Sequence, residues 1–422
     1  MRGSRALALA WLCLLRLPCA PPAWAAPGAT RALRSEAGAR DRRSGPARLR
    51  IPERFDPRRE RFWQRPAPAA PLVVGSAALD TIQTPTGTRY RLLGGSAIYA
   101  SAAAATASVS RPLLVAPVGT DFPDGHVEKL RTLGVDTRGL DRQPGPTFSW
   151  TGRYGANLKD RETVQTQLGV LESFRPRLPP GFRPKFVFLA NMSPEQQSEA
   201  LAQLPRGGAG AHVLVDTMNM WIRSHRPALE RVLHRADLLL VNDEEARLLG
   251  GTDDLAAAAR NVLALGPQMV IVKQGGQGAT LHTRVGQKMR SFQVPAFPVR
   301  KVVDTTGAGD SYAGALTAYL AHTDRFDVDN VRRGMIFASA VASSTVEDFS
   351  LDGLERLTRE DLMKRFDQVA AEADRTQVSS ARGVGPRRPR RPAARHPRPA
   401  AAAPQPQTAA RPAQSQSLAP AR

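Results

Sequence analysis

The chain has 422 residues, 42% of them hydrophobic, with a formal net charge of +21 and only two cysteines. That length exceeds an average single domain, and the thiol count excludes a disulfide scaffold or a cysteine-built metal site. The charge sits at the ends: residues 1–71 carry +10 and residues 376–422 carry +9, leaving +2 for residues 72–375. A nearly neutral core speaks against a specific nucleic-acid-binding domain and leaves any polyanion binding to the tails, through counterion release.

In chain order, MRGSRALALAWLCLL followed by Ala23-Trp24-Ala25 has the layout of a secretory signal peptide. Its apolar run holds both cysteines and is too short to span a bilayer. The competing reading is an over-extended start, absent from the working protein. Residues 26–71 are Arg- and Pro-rich without periodicity, and residues 376–422 are Pro/Ala/Arg-rich. Neither offers much to bury, so both ends are expected to be disordered and dispensable.

From Leu72 short apolar runs of strand length recur at 72–77, 113–119, 185–191, 212–217, 237–242, 268–275 and 299–304. Helix-like stretches separate them at 96–107, 124–133, 194–203, 226–235, 243–249, 253–265 and 308–322. Continuous apolar strands alternating with helices predict an α/β fold, a mainly parallel doubly wound sheet in an αβα sandwich over residues 72–375. Such sheets bind ligands at the carboxyl ends of their strands, where Asp80, Asn191, Asp216, Asn242 and the turns at 275–278 and 307–309 fall. Residues 87–93 and 147–171 instead alternate polar and apolar, as hairpin strands of a small β lid would.

The segment VVDTTGAGDSYAGAL (302–316) places a carboxylate, Asp310, behind three nearly side-chain-free residues at a helix mouth. An N-cap would explain the Asp. It would not explain the missing bulk, whereas an anion cradle of Gly307, Ala308 and Gly309 N–H groups would. A Rossmann fingerprint fails because Tyr312 stands where its third glycine belongs, and no G-x-x-x-x-G-K-[ST] occurs. The seven histidines show no metal spacing.

Together GGSAIYAS (94–101), VAPVGTDFPDG (115–125), NDEE (242–245), GGQG (275–278) and DTTGAGDSYAGAL (304–316) resemble the ribokinase family, the PfkB-type sugar and nucleoside kinases. The resemblance spans about residues 72–370. It implies a ribokinase-like fold and an ATP-dependent kinase acting on a hydroxyl of a small sugar or sugar-like polyol. Asp310 would be the general base and the Gly307-Ala308-Gly309 backbone the anion hole. Asn242 and Glu245 would order Mg²⁺ and its waters, and they also fit a capping box. Lys273, Gly275 and Gly278 lie where the family's nucleotide loop lies, although any strand-ending turn would use those glycines.

Asp304 resembles the family's monovalent-cation ligand, making K⁺ a further candidate. Asp80, Gly94 and Gly95 match positions that hold substrate hydroxyls. Tyr99 departs from the asparagine of many sugar kinases, and its ring could stack on a sugar or base or simply pack. Arg153 and Arg161 in the lid are candidate contacts to an anionic substrate, or ordinary surface arginines. The alternatives are a nucleoside (adenosine-type) kinase and a non-catalytic sugar- or nucleotide-binding regulatory protein. The lid is a candidate homodimer contact. ATP chemistry favours the cytoplasm, and residues 1–25 favour export.

Overall fold

A computed structural model of the chain describes residues 52–382, apart from 54–55, 65–68, 86, 107–110, 156–160, 206–209 and 287. The signal-like residues 1–25 and the tail beyond residue 382 lie outside the described residues, as does the middle of the lid hairpin. The elements begin with α1 (Glu60–Gln64), β1 (Leu72–Val74), β2 (Ala78–Thr84), β3 (Gly87–Gly94), α2 (Ser96–Thr106), β4 (Leu113–Gly119), α3 (Asp124–Thr132) and β5 (Asp136–Gln143). They continue through β6 (Ser149–Tyr154), β7 (Arg161–Gln167), β8 (Phe186–Leu189), α4 (Pro194–Ala202), β9 (His212–Asp216), α5 (Asn219–Ser224), α6 (Arg226–Leu233), β10 (Leu238–Asn242), α7 (Asp243–Gly250) and α8 (Leu255–Leu263). The last are β11 (Met269–Lys273), β12 (Ala279–Val285), β13 (Lys288–Val294), α9 (Ala308–Thr323), α10 (Val328–Thr345), α11 (Asp352–Arg356) and α12 (Arg359–Arg382).

Nine strands form the main sheet in the order β13-β12-β11-β10-β9-β8-β1-β4-β5. All are parallel except β12 and β13, which add an antiparallel edge. Alternate residues of each parallel strand feed opposite cores, because successive side chains point to opposite faces. Val73, Leu114, Phe188, Leu214, Leu240 and Ile271 pack with α2, α9 and α10. Val74, Val115, Leu189, Val215, Val241 and Val272 pack with α4, α6, α7 and α8. The sandwich expected from the apolar runs is what forms.

A second sheet, β3-β2-β6-β7, is the lid. It contains both expected lid segments and adds β2, so Asp80, which follows the first core strand as expected, lies within a lid strand opposite Leu92 of β3. No strand forms at the expected 299–304. The amides of Val303 and Asp304 share one acceptor, the Val346 carbonyl just past α10, at 2.8 and 3.4 Å, and this replaces a partner strand.

The expectation that nothing before residue 72 packs is also overturned. Phe62 is fully buried in the core on the α9–α10 side, and its carbonyl lies 2.6 Å from His322 Nε2. Three aromatic residues, Phe55, Phe62 and Trp63, in an Arg- and Pro-rich stretch make no periodicity to read, which is why the sequence hides the buried one. At the other end α12 runs to Arg382, past the expected boundary at 375.

Candidate functional site

The turn into α9 is built on Gly307, which serves as N-cap with φ +76° and no side-chain cap. That left-handed conformation suits glycine, and a Cβ there would come within 2.3–2.4 Å of three ring carbons of Tyr99. Ala308, Gly309 and Asp310 are then the first three residues of the helix, where backbone N–H groups lack intrahelical acceptors. Asp310 is therefore not the N-cap. It stands in the first turn, at the positive end of the helix dipole. Tyr99 is 3% exposed with its ring against the turn, so the stacking platform considered for a sugar or base is not presented.

On one side of this turn two acids converge. Asp80 is buried, and Gly94 gives it room, because a Cβ on Gly94 would meet its Oδ2 at 2.0 Å. Its Oδ1 has no hydrogen-bond partner. Burial, then the charges of Asp304 and Asp310, push the Asp80 carboxyl up to about 7, with the Trp150 and Gly95 amides offsetting part of this. Gly95 itself has φ +98°. Asp304 is also buried, with Oδ2 unpartnered. Its Oδ1 accepts from the Thr306 amide at 2.9 Å and the Thr306 hydroxyl at 2.7 Å. Thr306 Oγ1 in turn lies 2.6 Å from the hydroxyl of Tyr154 on lid strand β6, a link absent from the sequence reading. Arg153 bonds to Gln83 and Glu162 within the lid.

The raised Asp80 value gives a pH prediction for the ligand-free protein. Unfolded, the group titrates at its ordinary 3.8; folded, it holds its proton to about 7. Stability from this site is therefore full below pH 4 and lost as pH rises through 7. Asp80→Asn is expected to gain up to ~3 kcal/mol on wild type between pH 4.5 and 8. Denaturant melts at the two pH values check it, and a difference independent of pH would refute it.

On the other side stand the carboxyl ends of three neighbouring strands. Asn242 pairs in register with Lys273, and Leu240 with Asp216. Asn242 caps α7 in a reciprocal box: Glu245 N–H donates to Asn242 Oδ1 and Asn242 N–H donates to Glu245 Oε2, both at 2.8 Å. Burial, then Asp216, push Glu245 up to about 7, against the pull of Lys273 and the Asn242 amide. Lys273 Nζ donates to Asp216 Oδ2 at 2.8 Å. Burial alone would lower the Lys273 ammonium, but Asp216, Glu245 and Asp310 outweigh it and hold it above the ordinary lysine value. Gly275 and Gly278 shape the turn after β11, with φ +54° and +89°. Asp216 was placed at a strand end by the sequence but given no role; only the fold reveals its ion pair.

The arrangement offers a cradle of amides, a carboxylate beside it, acids on one flank and a cation on the other. A match to the family model "pfkB family carbohydrate kinase" covers residues 73–353. The chain belongs to that family. It is a pfkB-type carbohydrate kinase, a phosphotransferase with an alcohol acceptor. It is 29% identical over 256 residues to a cytidine kinase of Thermococcus kodakarensis, an alignment covering 58% of this chain and 87% of that protein. Against mouse ribokinase it is 25% identical over 305 residues, covering 67% and 91% of the two chains. The fold matches a Burkholderia thailandensis nucleoside kinase solved with inosine, with TM-score 0.57 and 22% identity over 71% of this chain and 98% of that one.

Proposed function

We propose that this pfkB-family kinase transfers the γ-phosphate of ATP to a hydroxyl of a small sugar or sugar-like polyol. The observation that carries this reading is the turn at 307–310, where Gly307 rather than Asp310 caps α9 and the carboxylate sits in the first turn beside the bare G-A-G backbone. The amides of Gly307, Ala308 and Gly309 would hold the transferring phosphoryl oxygens, and Asp310 would take the acceptor's proton. Asp80, whose Oδ1 is buried and unpartnered, would accept from the substrate's hydroxyls, with Gly94 and Gly95 letting the sugar approach. Tyr99 would support the turn from behind. Gly275 and Gly278 would line the nucleotide, with Lys273 at its phosphate end.

Glu245 spends Oε2 on the Asn242 amide, and among the described residues no group of three or more His, Cys, Asp or Glu could hold a metal ion. One carboxylate suits Mg²⁺, which keeps most of its waters and is held largely by substrate phosphates. When bound it would neutralise phosphate charge. The unpartnered Oδ2 of Asp304 fits a monovalent cation such as K⁺. Exposed Tyr90 and Val164 on the lid support a homodimer contact there. No helix among the described residues is long and apolar enough to cross a membrane. An ATP-consuming reaction favours the cytoplasm.

A nucleoside acceptor is the second reading, supported by the similarity to the cytidine kinase. A coupled ADP-release assay with ribose, deoxyribose, fructose, cytidine and adenosine decides between them. Turnover is expected on at least one free sugar. Turnover on nucleosides alone moves the assignment to the second reading, and turnover on none of a wide panel makes the protein a binding module.

A further inference from the structure

We propose that Asp216 is a positioning residue that holds the Lys273 ammonium against the anion turn, where Lys273 stabilises the phosphoryl group in transfer rather than the bound nucleotide alone. The proposal rests on the kinase reading above and deepens it.

Three observations carry it. The ion pair is buried: the Lys273 and Asp216 side chains are 16% and 6% exposed, with Nζ and Oδ2 2.8 Å apart. Asp216 is itself fixed, since its Oδ1 accepts from the Thr217 amide at 2.7 Å and its carbonyl accepts from Gln197 Nε2 at 2.9 Å. The lysine head lies against the turn, because a Cβ on Gly309 would come 3.0 Å from Nζ. Gly309 is thus bare where the ammonium passes, a second reason for the missing bulk in the G-A-G string.

Chemistry assigns the pair its task. A lysine ammonium is a compact charge on a flexible four-carbon stem. Left to itself it would pay rotamer entropy to reach one phosphate oxygen. Asp216 on β9, Glu245 on α7 and Asp310 on α9 are the acids that face it. Asp216 hydrogen-bonds to it directly in the ligand-free protein. The carboxylate both keeps the proton on Nζ and aims it, so a cation is already at the turn when charge builds on the transferring group. That is electrostatic preorganisation, which lowers the barrier without reorganisation during the step.

A double-mutant cycle on kcat tests this, using Asp216→Asn, Lys273→Met and the pair together in the full chain. Lys273→Met is expected to lower kcat by ~10²–10³, the scale of losing one preorganised donor. Asp216→Asn is expected to lower it ~10–100-fold, the scale of losing an outer partner, with the acceptor's KM little changed. In the double variant the Asp216 change should cost nothing further. Equal losses in both backgrounds would show Asp216 acting independently of Lys273 and overturn the proposal. So would a Lys273→Met variant with wild-type kcat and only a raised KM for ATP.

Because each single change strands a buried charge, the double variant, which removes both, is the folding control. Nitrogen NMR of labelled lysine gives a readout free of turnover, and the chain has only seven lysines to assign. In Asp216→Asn the Lys273 signal should titrate at a lower pH than in wild type. An unchanged titration would overturn the holding role. A wild type inert toward every acceptor would sink the kinase reading, while the NMR titration would still decide whether Asp216 holds the ammonium.

Discussion

Asp310→Asn is expected to lower kcat by ~10²–10⁴, the range for loss of a general base, while ATP binding measured by calorimetry stays near wild type. The fold should tolerate the change. The helix cap is Gly307, so the substitution removes no cap, and weakening the dipole interaction costs only ~0.3–1 kcal/mol. Asp310 has a second signature, because its charge helps raise the pKa of Asp80, Glu245 and Lys273. Replacing it with a neutral amide should let Asp80 and Glu245 ionise at lower pH, so the variant's acid limb of ligand binding moves down in pH. Wild-type turnover by Asp310→Asn on any accepted substrate would remove the base assignment. A fall in kcat with no pH movement would separate the proton-transfer role from the field.

That field also marks where sequence reasoning stops. The parallel sheet was readable because strands buried on both faces are apolar at successive positions, as in β10 and β11 up to their last residues, Asn242 and Lys273. The turn at 307–310 was readable because missing bulk is itself a signal. The capping box at 242–245 followed from residue type and spacing. What pairs across the fold was not readable. Asp216 and Lys273 are 57 residues apart, and Tyr154 reaches Thr306 across 152; neither contact has a local pattern. α10 was missed for another reason. Its ASAVASST end is rich in Ser, Thr and Val, which favour helix only weakly, and it is buried on nearly every side, so no amphipathic stripe betrays it. The 299–304 run shows the converse error, since β-branched residues satisfied strand propensity while Val346 supplied the one acceptor they found.

The N-terminal segment gives the last test. A protein starting at residue 72 is expected to be markedly less stable than one starting at residue 52, although both keep every motif. Phe62 packs 5.8 Å from Tyr319, 4.3 Å from His322 and 6.5 Å from Phe337, ring centre to ring centre. Around it, Trp63 Nε1 donates to the Pro57 carbonyl at 2.6 Å, and Arg359 sits 4.5 Å over the Trp63 ring while pairing with Glu60. The exposed ion pair adds little; the buried ring dominates. Removing a buried phenylalanine costs ~3–5 kcal/mol, part of it for the cavity left behind. Phe62→Ala in the full chain should therefore lose most of what truncation to residue 72 loses, as read by denaturant melts. Tyr319 and His322 belong to α9, whose first turn carries Asp310. Loosening that packing should therefore also lower kcat at temperatures where the protein remains folded. Equal melting midpoints for the two truncations would mean that Phe62 is no part of the core, and the globular unit would then begin at Leu72 after all.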